Sequence, residues 1–304
     1  MGRTLLILIF GFSAAFTLFS VSRNKRVVDS TERLASQFAN YSVNNAAASG
    51  VYMALNQLYQ DITWRAGYSN LNLNGDSISV TLEDSNTNPV IPQNQVRILA
   101  TAAGRTAART YEVMVFDSKF NGFAVWAKDS VLYVTTMDSV GNIAPGLLME
   151  HAPFMPNIDQ NQVITEATNQ GHVILPDSGG TFVPPNGYPN GNFYYSGLTP
   201  NVIQVKGDMQ VKKERTIYGI YLVEGKVRLD KNAVVNGILY LPNKSNIIKN
   251  SNSHNSYVNG GIITWDVVFG NFGQINVQLI PEYMNRFVGN FVPNNPPLRV
   301  ISWK

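Results

Sequence analysis

The chain begins with a long run of apolar positions that contains no charged residue. Residues 4–22 have the sequence TLLILIFGFSAAFTLFSVS. At about 1.5 Å per residue, a helix of this length spans roughly 28 Å, which is about the hydrocarbon thickness of a bilayer. Large side chains occur on every side of such a helix, so all of them need burial in lipid or in a helix bundle. They are Leu5, Leu6, Ile7, Leu8, Ile9, Phe10, Phe12, Phe16, Leu18 and Phe19.

A periodic pattern follows the cationic patch at 23–26. Steps of three or four residues indicate a mostly apolar stripe on a helix that continues to about Ile62. The stripe consists of Leu34, Phe38, Tyr41, Asn45, Ala48, Tyr52, Leu55, Tyr59 and Ile62. We expect this stripe to pack on its own domain. Residues 1–63 would then form one stalk helix, with 4–22 as its membrane-spanning or filament-core part.

Two alternatives to this continuous helix stay open. In a cleaved secretory signal, Arg3 would be the basic n-region and residues 20–22 (Ser-Val-Ser) would be the small-residue cleavage site. The apolar stretch is longer than the ~7–15 residues of an ordinary signal, which favours a retained segment. Alternatively, residues 29–32 (Asp-Ser-Thr-Glu) cap a fresh helix after a short break near Arg23.

Behind the helix, the apolar period changes from that of a helix to that of strands. Polar and apolar residues alternate strictly over 77–82. Two more predicted strands follow at 95–102 and 108–116, with a Gly-Arg turn between them. Three strands after a long helix predict a small antiparallel sheet over residues 64–120 that packs on the helix. The fold class is therefore α+β.

Residues 121–304 are predicted to form a β-rich head. An apolar, aromatic stretch at 120–134 contains Trp126. Residues 139–200 are rich in Gly, Pro and Asn, and we interpret them as long loops interrupted by a short strand at 172–175.

Within the head, residues 203–263 contain a repeat with an offset of eighteen residues. Residues 205–211 align with 223–229, 217–223 align with 235–241, and a third copy at 258–263 follows an insertion at 242–257. Short strands with Gly corners at a fixed period are typical of a parallel β-solenoid, whose ends other strands must cover. A β-meander with similar turns is the alternative.

Composition and motifs favour a structural role over catalysis. The net charge of the 304 residues is +3, with no basic cluster beyond 23–26, so we expect no nucleic-acid partner. The chain has no Cys, and its histidines lie in separate contexts without metal-ligand spacing. They are His151, His172 and His254.

Asp266 and Glu282 are expected to be solvated strand ends. Residues 74–76 (Asn-Gly-Asp) lack a calcium-binding pattern. We expect no enzyme, cofactor or metal site, although β-solenoids do host enzymes that act on glycans.

Aromatic and Asn-rich loops are candidate surface contacts. These are Tyr188, Phe193, Tyr194 and Tyr195, together with the insertion at 242–257. Tyr, Asn and Gly suit adhesion to surface glycans through stacking and adaptable hydrogen bonds. Loops that are exposed only to solvent, or loops that contact neighbouring subunits, would have the same composition.

This layout resembles the type IV pilins and pseudopilins. An apolar helix continues as an amphipathic one, residues 44–55 (NNAAASGVYMAL) form a small-residue stretch, and a Gly-cornered repeat follows at 203–263. The resemblance implies a subunit of a homopolymeric extracellular filament. Such a subunit is made as an inner-membrane protein and assembled through its helix by an inner-membrane machinery. The alternative is a membrane-anchored, exported binding protein that does not polymerise.

The chain departs from the family pattern at its start. Family members usually carry a charged leader that ends in Gly, and a Glu at the fifth mature position. Here Arg3 follows Gly2, position five is Leu5 if Met1 is the mature first residue, and the first acidic residue is Asp29. Registry between subunits would then depend on shape and apolar packing, or on a terminal amine that finds a backbone carbonyl.

Overall fold

The computed structural model describes residues 2–92, 94–117, 119–176, 180–244, 246–250, 254–270, 273–293 and 298–304. Contacts divide the chain into two units. The helix–sheet unit comprises Met1–Asp117 and Leu298–Lys304, and the solenoid unit comprises Ser118–Pro297. The predicted α+β class is confirmed: a long N-terminal helix precedes an antiparallel sheet and a parallel β-solenoid.

The regular elements of the described residues are as follows. The helices are α1 Gly2–Gln60, α2 Gln160–Asn169 and α3 Pro281–Phe291, with 3₁₀ turns at Phe120–Gly122 and Pro145–Leu147. The strands are β1 Tyr68–Leu73, β2 Asp76–Asp84, β3 Gln95–Ala103, β4 Ala108–Asp117, β5 Val125–Ala127, β6 Val131–Leu132, β7 Val134–Met137, β8 Leu148–Met149, β9 Val173–Ile174, β10 Thr181–Phe182, β11 Tyr194–Ser196, β12 Thr199–Pro200, β13 Val202–Val205, β14 Asp208–Val211, β15 Thr216–Val223, β16 Val227–Leu229, β17 Val234–Leu241, β18 Ile248–Asn250, β19 Ser256–Thr264, β20 Val268–Phe269, β21 Ile275–Leu279 and β22 Leu298–Trp303.

The helix–sheet unit contains five antiparallel strands in the order β1-β2-β3-β4-β22. The central three are the strands that the alternating pattern predicts. Asn74 and Gly75 join β1 to β2 with φ of 54° and 92°, as a tight hairpin turn requires. The last strand, β22, corrects the predicted boundary of the head, because residues 298–304 pair with β4 and belong to the sheet.

One face of α1 packs on this sheet through small and aliphatic side chains. Val43, Ala47, Val51 and Leu58 are at most 2% exposed and join the core that the sheet's inner residues form. Gly50 lies on the same face, where an added Cβ would be 2.9 Å from Cγ2 of Ile78. The glycine therefore lets the helix backbone lie close to the strands.

The predicted packing stripe of α1 is mostly exposed. Five of its large side chains are 54–72% exposed; they are Leu34, Phe38, Tyr41, Tyr52 and Tyr59. Leu55 of the same stripe packs against the core, and the Tyr52 ring lies 5.4 Å from that of Trp303. The prediction that this stripe packs on its own domain is therefore wrong for most of its large side chains and holds for Leu55. The helix is continuous from Gly2 to Gln60, so no fresh helix starts near Arg23. After Ser42, α1 thus packs small and aliphatic residues on the sheet and exposes Tyr52 and Tyr59.

The solenoid unit consists of two parallel sheets whose registers follow the repeat. Val205 pairs with Val223 and Met209 with Val227, each at the predicted offset of eighteen residues. Because these strands are parallel, the β-meander alternative is wrong. The longer sheet has the order β7-β21-β19-β17-β15-β13-β9, and the other has the order β10-β14-β16-β18-β20-β6.

Stacked glycines form the corners where β15, β17 and β19 bend. Gly219 pairs with Gly237, and Gly237 pairs with Gly260. A Cβ on Gly237 would lie 1.8 Å from the carbonyl oxygen of Gly219, and one on Gly260 would lie 2.1 Å from that of Gly237. No larger residue fits this ladder without separating the coils.

Strands from earlier in the chain extend both solenoid sheets at their ends. At one end, β6 and β7 pair with β20 and β21; at the other, β10 and β9 pair with β14 and β13. Helix α3 buries Phe287, whose ring meets those of Phe120 and Tyr240 edge to face. The predicted short strand at 172–175 is β9, which comprises Val173 and Ile174.

Candidate functional site

The N-terminal part of α1 is the largest apolar surface among the described residues. The ten side chains predicted to form a membrane or filament core are 55–75% exposed; they are Leu5, Leu6, Ile7, Leu8, Ile9, Phe10, Phe12, Phe16, Leu18 and Phe19. Helix α1 is long and apolar enough to cross a membrane, and none of its most apolar window is buried within the protein. An apolar helix of this kind is typical of a membrane anchor.

The composition of this segment also suits a dry environment. Oγ1 of Thr17 donates to the carbonyl of Ser13 at 2.7 Å, so its hydroxyl is satisfied within the helix. Gly11, Ala14 and Ala15 add small positions at which a second helix can approach closely. No described atom lies within 4 Å of an added Cβ on Gly11.

A charged segment follows the apolar one on the same helix. Its cations Arg23, Lys25 and Arg26 are exposed, and three further charged residues lie within the next seven positions. These are Asp29, Glu32 and Arg33. Residues 1–60 carry five cations and two acids, so α1 holds a formal charge of +3, equal to that of the whole chain.

A cavity of about 260 Å³ lies between α1 and the β1–β2 hairpin. The helix contributes residues on its outer and lateral faces, and the hairpin contributes the end of β1, its turn and the start of β2. The lining residues are Phe38, Tyr41, Ser42, Asn45, Ala46, Ser49, Leu73, Asn74 and Asp76. Asp76 is 7% exposed, and its Oδ2 accepts a short hydrogen bond from Oγ of Ser42.

The four aromatic residues predicted as surface contacts occupy different environments. Tyr195 is 49% exposed, whereas Tyr188 and Tyr194 are half-buried. Phe193 is 1% exposed and stacks on Tyr283 with 3.8 Å between ring centroids. The prediction for Phe193 is therefore wrong, because its ring fills the space between its loop and α3. In the insertion at 242–257, residues 245 and 251–253 lie outside the described residues.

An aromatic cluster surrounds His172 near the β9 end of the solenoid. The ring centroids of Tyr188 and Tyr195 lie 6.2 and 5.9 Å from that of His172, and Phe182 meets Tyr188 edge to face. Burial lowers the pKa of His172 and raises the pKa of Tyr188, so both side chains favour their neutral forms. Nδ1 of His172 is buried without a hydrogen-bond partner. The sequence singled out the tyrosines but not this histidine, because the contact brings together residues from separate loops.

The carboxylates that the sequence predicts to be solvated strand ends make hydrogen bonds within the fold. Glu282 accepts a short hydrogen bond from the Tyr194 hydroxyl, and Asp266 accepts one from the backbone N–H of Val267. In the described parts of the chain, no three His, Asp or Glu side chains lie close enough to hold a metal ion. Glu224 and Asp230 accept hydrogen bonds from glutamine side chains.

Comparison with protein-family models, with curated proteins and with solved structures found no match for this chain.

Proposed function

We propose that this chain is a structural subunit of an extracellular filament of the type IV pilus kind. It is made as an inner-membrane protein through the apolar half of α1, and an assembly machinery in that membrane then extracts it. The observation that carries the proposal is the exposure of ten large apolar side chains on one uninterrupted helix whose far end packs on its own sheet. The β-rich units form the outer surface, which serves adhesion, motility or surface attachment.

The energetics favour assembly through this segment once it has left the membrane. Burying one Leu, Ile or Phe side chain contributes about 1.5–3 kcal/mol, so burying ten contributes on the order of 20 kcal/mol relative to water. Lipid and neighbouring copies of the same helix both supply this burial. Extraction therefore needs external work, whereas the packing of α1 among other copies needs no chemistry from this chain.

Residues 4–22 contain no acidic residue, whereas the family usually has a glutamate in this part of the helix. An unpaired charge inside such a bundle is costly, so the absence of a glutamate removes that cost together with a specific contact. Alignment of the copies then depends on other features of the helix. The aromatic face of α1 is available for this role, because Phe38, Tyr41 and Tyr52 extend the apolar surface beyond the charged segment.

Fractionation of producing cells tests the proposal. Mechanical shearing followed by high-speed sedimentation should place the chain in a filament pellet, identified by mass spectrometry. A matched variant pair, Phe12→Lys and Asn56→Lys, compares the effect of a new charge in the apolar segment with its effect elsewhere on the surface of α1. We expect Phe12→Lys to abolish the pellet and Asn56→Lys, which changes an exposed polar position, to retain at least part of it.

Recovery of the native chain only as a detergent-soluble monomer would contradict the proposal. It would support a membrane-anchored binding protein instead, with the aromatic cluster near His172 as its first candidate contact. Glycan arrays with the detergent-purified chain would then be the next experiment.

A further inference from the structure

Asp76 is an acidic side chain that the fold buries beside an open cavity. It begins β2 and faces α1, where the residue is 7% exposed and its carboxylate accepts a hydrogen bond from Ser42. Four ion pairs form among the described residues, and Asp76 is in none of them. Removing a carboxylate from water without a cationic partner is costly, so this site favours the arrival of a positive charge.

The cavity has the size and lining for the end of one basic side chain. Its volume of about 260 Å³ is below the ~300–1,000 Å³ of pockets that hold drug-sized ligands. The rings of Phe38 and Tyr41 line it beside Asp76, and aromatic faces attract ammonium and guanidinium groups. Asn45, Ser49 and Asn74 supply further polar atoms. These features fit an arginine or lysine head group.

The chain carries such groups on the same helix, but none of the ion pairs among the described residues joins one of its own cations to Asp76. Arg26 precedes Ser42 by sixteen residues and Arg23 by nineteen, which corresponds to about 24 and 29 Å along α1. A second copy of the helix, parallel and displaced axially by about that distance, places its cations beside the cavity. Arg23, Lys25 and Arg26 are exposed, and no ion pair within the described chain involves them.

We propose that the cavity lined by Phe38, Tyr41 and Asp76 receives a basic side chain from the 23–26 segment of a neighbouring copy. This inference rests on the proposed filament function and specifies a contact within the filament. It also supplies a charged registry element in a chain whose apolar segment contains no acidic residue. The contact sets the axial stagger of adjacent helices at about 24–29 Å.

Cross-linking in filaments tests this contact, and the absence of native cysteine makes it specific. The double variant Asn24→Cys/Asn45→Cys retains all three cations and Asp76. A bifunctional maleimide about as long as an arginine side chain is applied to sheared filaments. We expect a ladder of covalent oligomers beyond the dimer, because every copy then joins two different neighbours. Each single-cysteine variant should give no ladder beyond the dimer.

Two controls separate the charge pairing from mere proximity. Asn24→Cys/Asn56→Cys, whose second cysteine is exposed and lies eleven residues, or about 16 Å, beyond Asn45 along α1, should give no ladder. Asp76→Asn keeps an acceptor for the Ser42 hydroxyl while removing the charge. Added to the first double variant, it should reduce the ladder at least several-fold. Filaments that form normally but give no ladder overturn this inference and leave the filament function intact. A native chain that forms no filaments overturns both.

Discussion

At the scale of single residues, close backbone contacts in the solenoid fix which side chains are possible. The carbonyl of Gly219 lies where a Cβ on Gly237 would be, at 1.8 Å. Gly289, in α3 of the same unit, is exposed and has no neighbouring atom within 4 Å of an added Cβ. The same substitution should therefore have opposite effects at these two positions.

We expect Gly237→Ala to destabilise the solenoid unit by about 3 kcal/mol or more, because the coils must separate to admit the methyl group. We expect Gly289→Ala to stabilise it by about 0.5–1 kcal/mol through helix propensity. Thermal unfolding of the detergent-solubilised full chain, followed by circular dichroism, measures both. Equal effects of the two substitutions would contradict the glycine ladder.

Buried tyrosines in the solenoid make its stability depend on alkaline pH. Burial raises the pKa of Tyr240 to about 12 and that of Tyr221 well above its ordinary value. In the unfolded chain both hydroxyls ionise near pH 10, so the unfolded state loses protons that the folded state retains. The stabilisation is therefore complete below about pH 10 and decreases as pH rises toward 12.

For Tyr240 alone the expected loss is about 3 kcal/mol between about pH 10 and pH 12. Chemical denaturation of the native chain and of Tyr240→Phe across this range measures it. The variant should lose less stability than the native chain over the same interval. Identical pH profiles for the two proteins would show that Tyr240 ionises equally in the folded and unfolded states.

At the scale of elements, α1 shows why the sequence pattern did not identify its buried face. The pattern of large side chains selects Phe38, Tyr41 and Tyr52, all of which face outward. The buried face uses Ala47 and Gly50, whose small size lets the backbone approach the sheet. Hydrophobic periodicity weights large residues, so it identified the helix and its length but assigned the wrong face to the core.

Substitutions on the two faces should separate folding from assembly. Phe38→Ser changes an outward side chain, so we expect the unfolding free energy to change by less than about 0.5 kcal/mol while filament yield falls. Val51→Ser removes buried apolar surface and buries a hydroxyl, which should cost about 2–3 kcal/mol. Thermal unfolding and the quantity of sheared filament measure the two effects. A large stability loss from Phe38→Ser would contradict the assignment of its face.

The strand pairings likewise could be predicted where a repeat marks them, and could not be predicted where they join residues far apart in the sequence. The repeat predicts the parallel registers of β13, β15 and β17 because its offset is visible within the chain. The pairing of β22 with β4 joins residues about 180 positions apart, and no local pattern marks it. The insertion before β19 likewise lengthens the offset, as Val235 pairs with Val258.

At the scale of the whole molecule, the fold assigns separate tasks to separate parts. Helix α1 carries the net charge of the chain and its largest exposed apolar surface, whereas residues 61–304 are neutral overall. The described solenoid residues form short coils with covered ends and no metal-binding cluster. These features favour a subunit that assembles through its helix and presents a β-rich surface.

The candidate site could be predicted only where its residues follow one another in the sequence. The ten apolar side chains of α1 lie within one uncharged run, so their type and the length of the run suffice to identify them. Phe193 shows the limit, because its burial depends on Tyr283 from a distant helix. The cavity beside Asp76 likewise requires the hairpin to fold against α1, which no spacing in the sequence reveals.

The most direct measurement is the structure of filaments sheared from producing cells, determined by electron cryomicroscopy with N-terminal sequencing of the subunit. We predict a central bundle of α1 helices in which the side chains from Leu5 to Phe19 are buried among copies, surrounded by the β-rich units. A chain that begins near Arg23, or filaments whose core is built from another segment, would contradict it.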